Sequence, residues 1–364
     1  PPRSTLFPYT TLFRSIEIKK KGEEGFKYRN TEKIVGELGI ELAYNEEITG
    51  TNGFLVYQRD KSGYQIPDTA EERKDAINGD DIYLTIDSAI QRFVESALKE
   101  YAAIYTPEWM LVAVMDAKTG DILASSSTPS FDPNIRNITN YENPLTSYIF
   151  EPGSTMKTYT YMCAIDKGTY NGNYEYLSGT YTIGEDVIQD WNGGKGWGTI
   201  SLDLGYEYSS NVGAVTIVNE FISRNELRSC LTKFGFGQTT GVELPREMSG
   251  SINFTYPVEV AAASYGQGIT TTAVQHLQGL SIIANDGKMV TPHIISKIVD
   301  TNTGEIKFER QVEKSEQLVS SETVKTIKQL MYNTVHNRNL GTTSMDYDIE
   351  GFDVIGKTGT AQIY

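Results

Sequence analysis

The amino-acid sequence predicts an α+β protein, because helical and strand patterns are mixed without the regular strand–helix alternation of an α/β fold. Pairs of apolar runs flank turns that contain Gly and predict two antiparallel hairpins, 110–115 with 121–125 and 294–300 with 305–312. Apolar residues at helical spacing predict helices over 202–221, 226–234, 273–284 and 322–335. The chain has 364 residues, of which 39% are hydrophobic, so it can bury a substantial core.

The N-terminal part divides into two segments by composition. Residues 1–15 are predicted to be non-native, because 5–15 resembles the conceptual translation of a short-read sequencing adapter. Residues 16–80 are rich in charge and Gly, with a short alternating run at 53–58 and a hairpin signal at 60–63. These features favour a small partial domain, and a loosely packed linker is the alternative interpretation.

Residues 81–364 are predicted to form one larger domain. A strand pattern at 82–86 is followed by Asp87, which is a favourable N-cap for the next helix. A Gly-rich loop farther along carries Trp191 and Trp197. These two rings either line a substrate cleft or pack the loop against the domain.

Composition and spacing argue against several classes of function. The formal net charge is −15, so a nucleic-acid backbone is not expected as a partner. No apolar run is long enough to span a bilayer. Cys163 and Cys230 lie in apolar helical patterns and are predicted to be small buried side chains, since two cysteines do not define a disulfide framework. His276, His293 and His336 lack metal-ligand spacing, so no metal site is predicted.

The stretch that organises the chain is Phe-Glu-Pro-Gly-Ser-Thr-Met-Lys at 150–157. Pro152 and Gly153 end an extended approach, and a helix is predicted to begin at Ser154. Ser154 and Lys157 then lie three residues apart on one helix face. A buried lysine whose pKa is lowered can act as the base that activates a serine nucleophile. A lone match of this kind is weak evidence, since it also occurs by chance on surface helices.

Two further motifs follow in the chain. Ser209-Ser210-Asn211 is predicted at the junction of two helical segments, and Lys-Thr-Gly-Thr at 357–360 is predicted to follow a strand entry at 353–357. Taken alone, the first is more readily a helix cap, and the second could be a surface strand with a turn. Together with Ser-x-x-Lys they form the motif set of penicillin-binding proteins and class A β-lactamases.

Other segments resemble class B penicillin-binding proteins, and most of all the division-type D,D-transpeptidases. They are GIELAY (39–44), DAKTGDILA (116–124), TGVELPRE (240–247) and YGQG (265–268). The resemblance implies a transpeptidase domain over 81–364, with the fold shared by serine β-lactamases: an antiparallel sheet with helices. It also implies that 16–80 is part of the pedestal (dimerisation-type) domain that precedes it.

The resemblance assigns catalytic roles to four residues. Ser154 would be the nucleophile that forms an acyl-enzyme, and Lys157 would take its proton. Ser209 would relay a proton to the leaving amine. Asn211 would hold Lys157 or an amide of the substrate backbone. No metal or organic cofactor is implied.

The last motif would supply substrate binding. Its residues would form an exposed edge strand that an extended peptide can join by main-chain hydrogen bonds. Lys357 would attract a terminal carboxylate, to which Thr358 and Thr360 would donate hydrogen bonds. Gly359 would leave room for close approach. The backbone N–H groups of Ser154 and Thr360 would form the oxyanion hole.

The implied function is cross-linking of peptidoglycan stem peptides that end in D-Ala-D-Ala, in septal cell-wall synthesis. β-Lactams would acylate the same serine, and other division or cell-wall proteins in the membrane would be partners. The catalytic domain would lie outside the cytoplasmic membrane, anchored by an N-terminal helix that this chain lacks. One alternative is a serine β-lactamase or β-lactam sensor, with Glu243 or Glu247 as the carboxylate that activates water. Another is a non-catalytic division scaffold.

In the family, two more sheet strands and at least one helix follow the Lys-Thr-Gly strand. The chain ends at Tyr364, four residues after Thr360. The last strands of the sheet are therefore expected to be missing, along with part of the pedestal. We expect the 364-residue chain alone to be poorly stable and weakly active or inactive.

Overall fold

A computed structural model describes residues 13–16, 32–56, 58, 62, 64, 66–67, 72–132, 135, 137–337 and 347–361. These residues mix helices with short antiparallel sheets, which confirms the predicted α+β class. Most of the segment predicted to be non-native, and most of the hairpin signal at 60–63, lie outside the described residues. None of the helices in the described part of the chain is both long and apolar enough to cross a membrane.

The N-terminal half contains short elements followed by a long helix and a hairpin. In chain order they are β1 (Phe13–Ile16), β2 (Glu32–Val35), α1 (Gly39–Ala43), α2 (Asn45–Ile48), β3 (Phe54–Val56), β4 (Glu72–Lys74), β5 (Asp81–Leu84), α3 (Ser88–Tyr105), β6 (Met110–Met115) and β7 (Ile122–Thr128). β1 pairs antiparallel with β2, and β3 pairs antiparallel with β4. Ile40, Tyr44 and Ile48 pack against the apolar cluster beneath β5, so the small N-terminal helices are attached to the larger domain.

The C-terminal half is mostly helical. In chain order it contains a 3₁₀ turn (Gly153–Thr155), α4 (Met156–Asp166), β8 (Glu175–Leu177), β9 (Thr180–Ile183), β10 (Asp186–Gln189), β11 (Thr199–Ser201), α5 (Leu202–Glu207), α6 (Asn211–Glu220), α7 (Arg224–Lys233), α8 (Pro257–Ser264), α9 (Ala273–Ala284), β12 (Ile295–Val299), β13 (Ile306–Glu309) and α10 (Ser321–His336).

The two predicted hairpins are confirmed. β6 pairs antiparallel with β7, and β12 pairs with β13 on one side and with β5 on the other. Asp87 caps α3 as expected, because its carboxylate accepts hydrogen bonds from the backbone of Ala89 and Ile90. The predicted helices are also present, with ends that differ by a few residues. These elements depend on local patterns, which the sequence displays directly.

Helix α4 is the centre of the helical half. Met156 to Ala164 are all buried, and α6, α7, α8 and α10 pack around the helix. Large side chains such as Tyr159, Tyr161 and Met162 fill the space between these helices. Lys157 is therefore a cationic group at the N-terminal end of a helix that is otherwise enclosed by apolar neighbours.

The prediction for the two cysteines is wrong. Cys163 on α4 and Cys230 on α7 form a disulfide, with a distance of 2.09 Å between the sulfur atoms. The two helices pack side by side and bring the Cα atoms within 6.0 Å of each other. This distance is set by tertiary packing across 67 residues of chain, which the apolar helical pattern around each cysteine does not reveal.

The predicted strand at the last motif is not observed. Residues 353–361 are without regular secondary structure, and no strand of the described part of the chain pairs with them. A β-strand is defined by the hydrogen bonds that it makes to a neighbour, so sequence pattern alone cannot establish one. The segment is held instead by contacts with the turn before α4, described below.

Candidate active site

Ser154 lies in the 3₁₀ turn that leads into α4. The α-helix begins at Met156, two residues later than predicted. Gly153 has a φ of +56°, and a Cβ atom there would lie 2.4 Å from the Thr360 carbonyl oxygen. Its N–H donates to the carbonyl of Gly266, 3.0 Å away. Because a side chain at Gly153 would be both strained and blocked, glycine is required for the turn and the last motif to approach so closely.

Lys157 occupies the position that the three-residue spacing predicts. Its side chain is fully buried, and its Nζ atom lies 2.9 Å from the Ser154 Oγ. The same Nζ lies 2.6 Å from the Ser209 carbonyl oxygen and 3.2 Å from the Ser209 Oγ. It also donates to the Asn211 Oδ1 at 2.8 Å. The first two motifs therefore meet at this single amine.

Burial lowers the pKa of Lys157 well below its ordinary value, because the charged form loses its hydration. The nearby charge of Lys357 lowers this pKa further, while the carboxylate of Asp190 raises it. A neutral amine has a lone pair that can accept a proton from the adjacent serine hydroxyl. The surroundings of Lys157 thus favour the protonation state that a general base requires.

The three residues of the Ser209-Ser210-Asn211 segment make different contacts. Ser209 has a φ of +58°, between α5 and α6. Ser210 is the N-cap of α6, where its Oγ accepts from the Gly213 N–H at 2.9 Å. The helix-cap interpretation is therefore correct for Ser210, whereas Ser209 and Asn211 both contact Lys157.

Asp190 is a buried residue of the site that sequence reasoning does not identify. Its Oδ1 accepts from the Ser210 Oγ at 2.8 Å and from the Val212 N–H at 3.1 Å. Its Oδ2 accepts from the Gly179 N–H at 2.8 Å. The carboxylate thus ties the start of α6, through Ser210 and Val212, to the backbone of Gly179. Asp190 directly precedes Trp191 at the start of the Gly-rich loop, and nothing in the neighbouring sequence distinguishes it from an exposed aspartate.

The last motif completes the cluster. The Lys357 Nζ, which is half-buried, donates to the Ser209 Oγ at 2.8 Å and to the Thr358 carbonyl oxygen at 3.1 Å. Burial lowers the pKa of this lysine to about 7. A Cβ on Gly359 would lie 2.9 Å from the Pro152 carbonyl oxygen, so this segment runs directly against the turn of the nucleophile.

The structure places the predicted residues together. The three motifs contribute one continuous group of side chains and backbone around the Ser154 hydroxyl: Ser154, Lys157, Ser209, Asn211, Lys357, Thr358, Gly359 and Thr360. Thr358, Gly359 and Thr360 are exposed to solvent. The arrangement places a hydroxyl next to a buried amine of lowered pKa, with a second hydroxyl and an exposed stretch of main chain beside them.

The two rings of the tryptophan loop have different surroundings. Trp197 stacks on Tyr208 with the ring centres 4.6 Å apart, so it packs the loop down. The Trp191 indole N–H donates to the Tyr208 carbonyl oxygen at 2.8 Å, and its ring is 60% exposed. It lines a cavity of about 500 Å³ together with Ser209 and Lys357.

The carboxylates considered for a hydrolase are engaged elsewhere. Glu243 accepts from the Ile294 N–H at 3.0 Å and pairs with Arg310. Glu247 accepts from both the N–H and the hydroxyl of Thr240, at 2.6 and 2.7 Å. Neither residue lines the cavity beside Ser209. They bind backbone and side chains away from the serine, and nothing in their contacts suggests water activation.

The described residues contain no group of three or more His, Cys, Asp or Glu side chains that could hold a metal ion. His276 is half-buried, with Nε2 2.9 Å from the Thr271 Oγ1, and the loss of hydration lowers its pKa to about 4. His293 is buried and pairs with Asp121 at 2.6 Å. These contacts hold the side chains of both histidines in place within the folded domain.

Two family models match the chain. One, described as penicillin binding protein transpeptidase domain, matches residues 110–364. The other, described as penicillin-binding protein dimerisation domain, matches residues 9–84. The second match begins inside the segment predicted to be non-native, and the origin of residues 1–15 and the domain boundaries stay predictions.

Individual proteins agree with these matches. The chain is 32% identical over 338 residues to stage V sporulation protein D of Bacillus subtilis, covering 90% of the chain and 51% of that protein. It is 27% identical over 337 residues to a probable peptidoglycan D,D-transpeptidase, PenA, of Neisseria flavescens, covering 90% of the chain and 79% of that protein. The crystal structure of penicillin binding protein 2X from Streptococcus thermophilus superposes with a TM-score of 0.82 at 30% identity, over 92% of the chain and 50% of its own length. The chain spans about half the length of the first curated relatives that it matches.

Proposed function

The chain belongs to the family of penicillin-binding proteins with a transpeptidase domain, as its motifs predict, and on that premise we propose that it carries the active site of a serine-type peptidoglycan D,D-transpeptidase. The observation that supports this most directly is the position of the Lys157 amine, 2.9 Å from the Ser154 hydroxyl and 2.8 Å from the Asn211 side chain. The substrate is a stem peptide that ends in D-Ala-D-Ala.

The first half-reaction forms the acyl-enzyme. Neutral Lys157 takes the proton of Ser154, and the serine oxygen attacks the carbonyl carbon of the penultimate D-Ala. The backbone N–H groups of Ser154 and Thr360 stabilise the negative charge that develops on the carbonyl oxygen. The C–N bond then breaks, and Ser209 passes the proton from Lys157 to the departing amine of D-Ala. The Ser209 Oγ lies 3.2 Å from the lysine nitrogen, within reach for that relay.

The second half-reaction transfers the peptide to an amine of a neighbouring strand. The amine nitrogen attacks the ester carbon, the bond to the Ser154 oxygen breaks, and one proton returns to that oxygen. Recognition of the donor depends on charge and main-chain contacts. Lys357 attracts its terminal carboxylate, Thr358 and Thr360 donate hydrogen bonds to it, and Gly359 leaves the backbone accessible.

The cellular setting is part of the same proposal. We place the catalytic domain outside the cytoplasmic membrane, in septal wall synthesis alongside other membrane-bound division proteins. The Cys163–Cys230 disulfide supports an oxidising compartment, because disulfides persist mainly outside the cytoplasm. β-Lactams act as covalent inhibitors at Ser154, since their strained amide resembles the bond that is attacked.

Labelling with a fluorescent penicillin tests the proposal on the full-length protein. Wild type and the exposed control Ser130→Ala should both form one covalent adduct per molecule, and Ser154→Ala should form none. The adduct should persist, because a transpeptidase hydrolyses a penicilloyl ester slowly. Rapid loss of the label with turnover would support a β-lactamase instead. Labelling that survives in Ser154→Ala would contradict the assignment of the nucleophile.

A further inference from the structure

A cavity of about 500 Å³ opens directly beside the proton-relay hydroxyl. Its lining includes Ser209 and Lys357 together with Trp191, Glu207 and Tyr208. The Ser209 Oγ lies within 3.2 Å of both active-site amines, so the cavity and the reaction centre share this group. A ligand in the cavity can therefore contact the Ser209 hydroxyl, through which we propose that protons are transferred.

One wall is a rigidly held aromatic ring. Trp191 is 60% exposed, which is unusual for so large an apolar side chain. Its indole N–H is fixed by the hydrogen bond to the Tyr208 carbonyl, and Tyr208 itself stacks against Trp197. The ring therefore loses little conformational freedom when a ligand packs on it. Its face can contact both alkyl chains and cations.

The lining of the cavity also carries a fixed negative charge. The Glu207 carboxylate accepts hydrogen bonds from the side-chain amides of Asn333 at 2.9 Å and Asn337 at 2.7 Å, both from the end of α10. No lysine, arginine or histidine of the described residues forms an ion pair with it. The two amides orient the carboxylate and leave its remaining lone pairs available. An aromatic face next to a carboxylate is suited to an ammonium group.

We infer that this cavity binds the acyl acceptor, a primary amine carried on a flexible alkyl side chain of a second peptide. The inference rests on the proposed function and assigns a place to its second substrate. Attack by an acceptor amine resembles the reverse of the departure of the D-Ala amine, so we expect both amines to use the side of the ester carbon that faces Ser209. Glu207 attracts the ammonium form, and Trp191 packs against the methylene groups next to it.

The chemical step balances without any added reagent. The ammonium ion releases one proton to solvent and becomes a neutral amine. Its nitrogen then attacks the ester carbon, so that a C–N bond forms and the C–O bond to Ser154 breaks. The second proton of the nitrogen passes through Ser209 to the departing Ser154 oxygen, which regenerates the free hydroxyl.

The partition of the acyl-enzyme between amine and water tests the inference. The full-length protein is acylated with a thioester analogue of an acyl-D-alanine donor, in the presence of increasing Nα-acetyl-lysine amide. The ratio of amide product to hydrolysis product does not depend on how fast the acyl-enzyme forms. We expect Glu207→Gln to lower this ratio about five- to tenfold, because it removes the charge that attracts the amine. Trp191→Ala should lower it as well.

Two controls separate recognition from structural damage. Glu220→Gln makes the same charge change at an exposed position at the end of α6 and should leave the ratio unchanged. Hydroxylamine is a small nucleophile, largely uncharged at neutral pH, whose partition should not change in Glu207→Gln. The inference is overturned if Glu207→Gln matches wild type with the lysine probe, or if both nucleophiles lose equally. A protein that forms no acyl-enzyme would instead refute the proposed function.

Discussion

Two lysines contact one hydroxyl in this site, and the proposed mechanism needs one of them neutral and the other protonated. Lys157 must be neutral to accept a proton, whereas Lys357 must be protonated to attract a carboxylate. Both lie within 3.2 Å of the Ser209 Oγ, so the two amines are close enough for the charge of one to affect the other. The positive charge of Lys357 is one of the causes that lower the pKa of Lys157. The substrate-binding group therefore also prepares the base.

Lys357→Gln should reveal this coupling. Removing the positive charge raises the pKa of Lys157, so the neutral base appears only at higher pH. The rising limb of the pH profile for acylation by a fluorescent penicillin should move to higher pH. Lys357→Arg keeps the charge and should leave the limb in place even if the rate falls. If the rising limb of the pH profile does not move in Lys357→Gln, the two amines are not coupled.

Asp190→Asn should move the same limb in the opposite direction. The carboxylate raises the pKa of Lys157, so its neutralisation lets the base become neutral at lower pH. The substitution also turns an amide N–H group toward backbone donors at Gly179 or Val212, which should cost about 1–3 kcal/mol of unfolding free energy. The pH profile and a urea titration measure the two effects.

Asp186→Asn is the matched control for that substitution, since Asp186 is exposed on β10 of the same small sheet. It should change neither the profile nor the stability. A shift to higher pH in Asp190→Asn would contradict the assigned electrostatic effect.

At the level of residues, the sequence predicts the side chains that we propose to react but not the groups that position them. Ser154 and Lys157 are found because their spacing along one helix fixes their relation. Asp190 and the Cys163–Cys230 pair are missed, since their partners are distant in the chain and only tertiary packing brings them together.

Among the elements, the turn before α4 is the most constrained. Gly153 combines a φ of +56° with a neighbouring carbonyl that a Cβ would approach to 2.4 Å. Gly153→Ala should push the 357–360 segment away from Ser154 and reduce the acylation rate roughly a hundredfold, because displacements of about 1 Å have effects of that size. The rate constant for acylation by penicillin measures the loss.

Gly184→Ala is a close control, because Gly184 has a φ of +61° and a Cβ added there would meet no atom within 4 Å. It should lose about 1–2 kcal/mol of stability through backbone strain alone. Its acylation rate should match wild type. Equal acylation rates in Gly153→Ala and wild type would show that the close approach is not required.

Some helices and strands can be predicted from the sequence and others cannot, and the difference has a physical reason. The two hairpins and the helices α5, α6, α7, α9 and α10 follow local apolar periodicity, which reports directly on the buried face. The segment at 353–360 has the pattern of a strand, although strand formation requires a partner that periodicity does not identify. Its observed conformation depends on contacts with the nucleophile turn.

For the whole molecule, the disulfide joins the helix behind the active site to the outer helix α7. Closing a loop of 67 residues should contribute about 4 kcal/mol to the unfolding free energy. A reducing agent should therefore lower the urea midpoint of the wild-type protein clearly. The double variant Cys163→Ala/Cys230→Ala should begin at the lower midpoint and not respond to reductant. A wild-type midpoint that is insensitive to complete reduction would contradict this role.

The expected weakness of the isolated 364-residue chain stays a prediction. A second cavity of about 750 Å³ lies between β6 and the 355–361 segment, and part of its lining is apolar, including Leu111, Leu277 and Met331. Apolar surface left in contact with water contributes nothing to folding. The apolar part of this lining therefore adds nothing to the free energy of unfolding.

The lowered pKa of Lys357, about 7, has a consequence for how an anionic ligand enters the cleft. In mildly alkaline solution the unliganded protein holds this amine mostly uncharged. A carboxylate that docks beside it restores the cation, so binding must draw a hydrogen ion from the medium. Calorimetric titration with an unreactive acyl-D-alanine should then give heats that differ between buffers according to their ionisation enthalpies, and identical heats would mean that the ammonium was already formed.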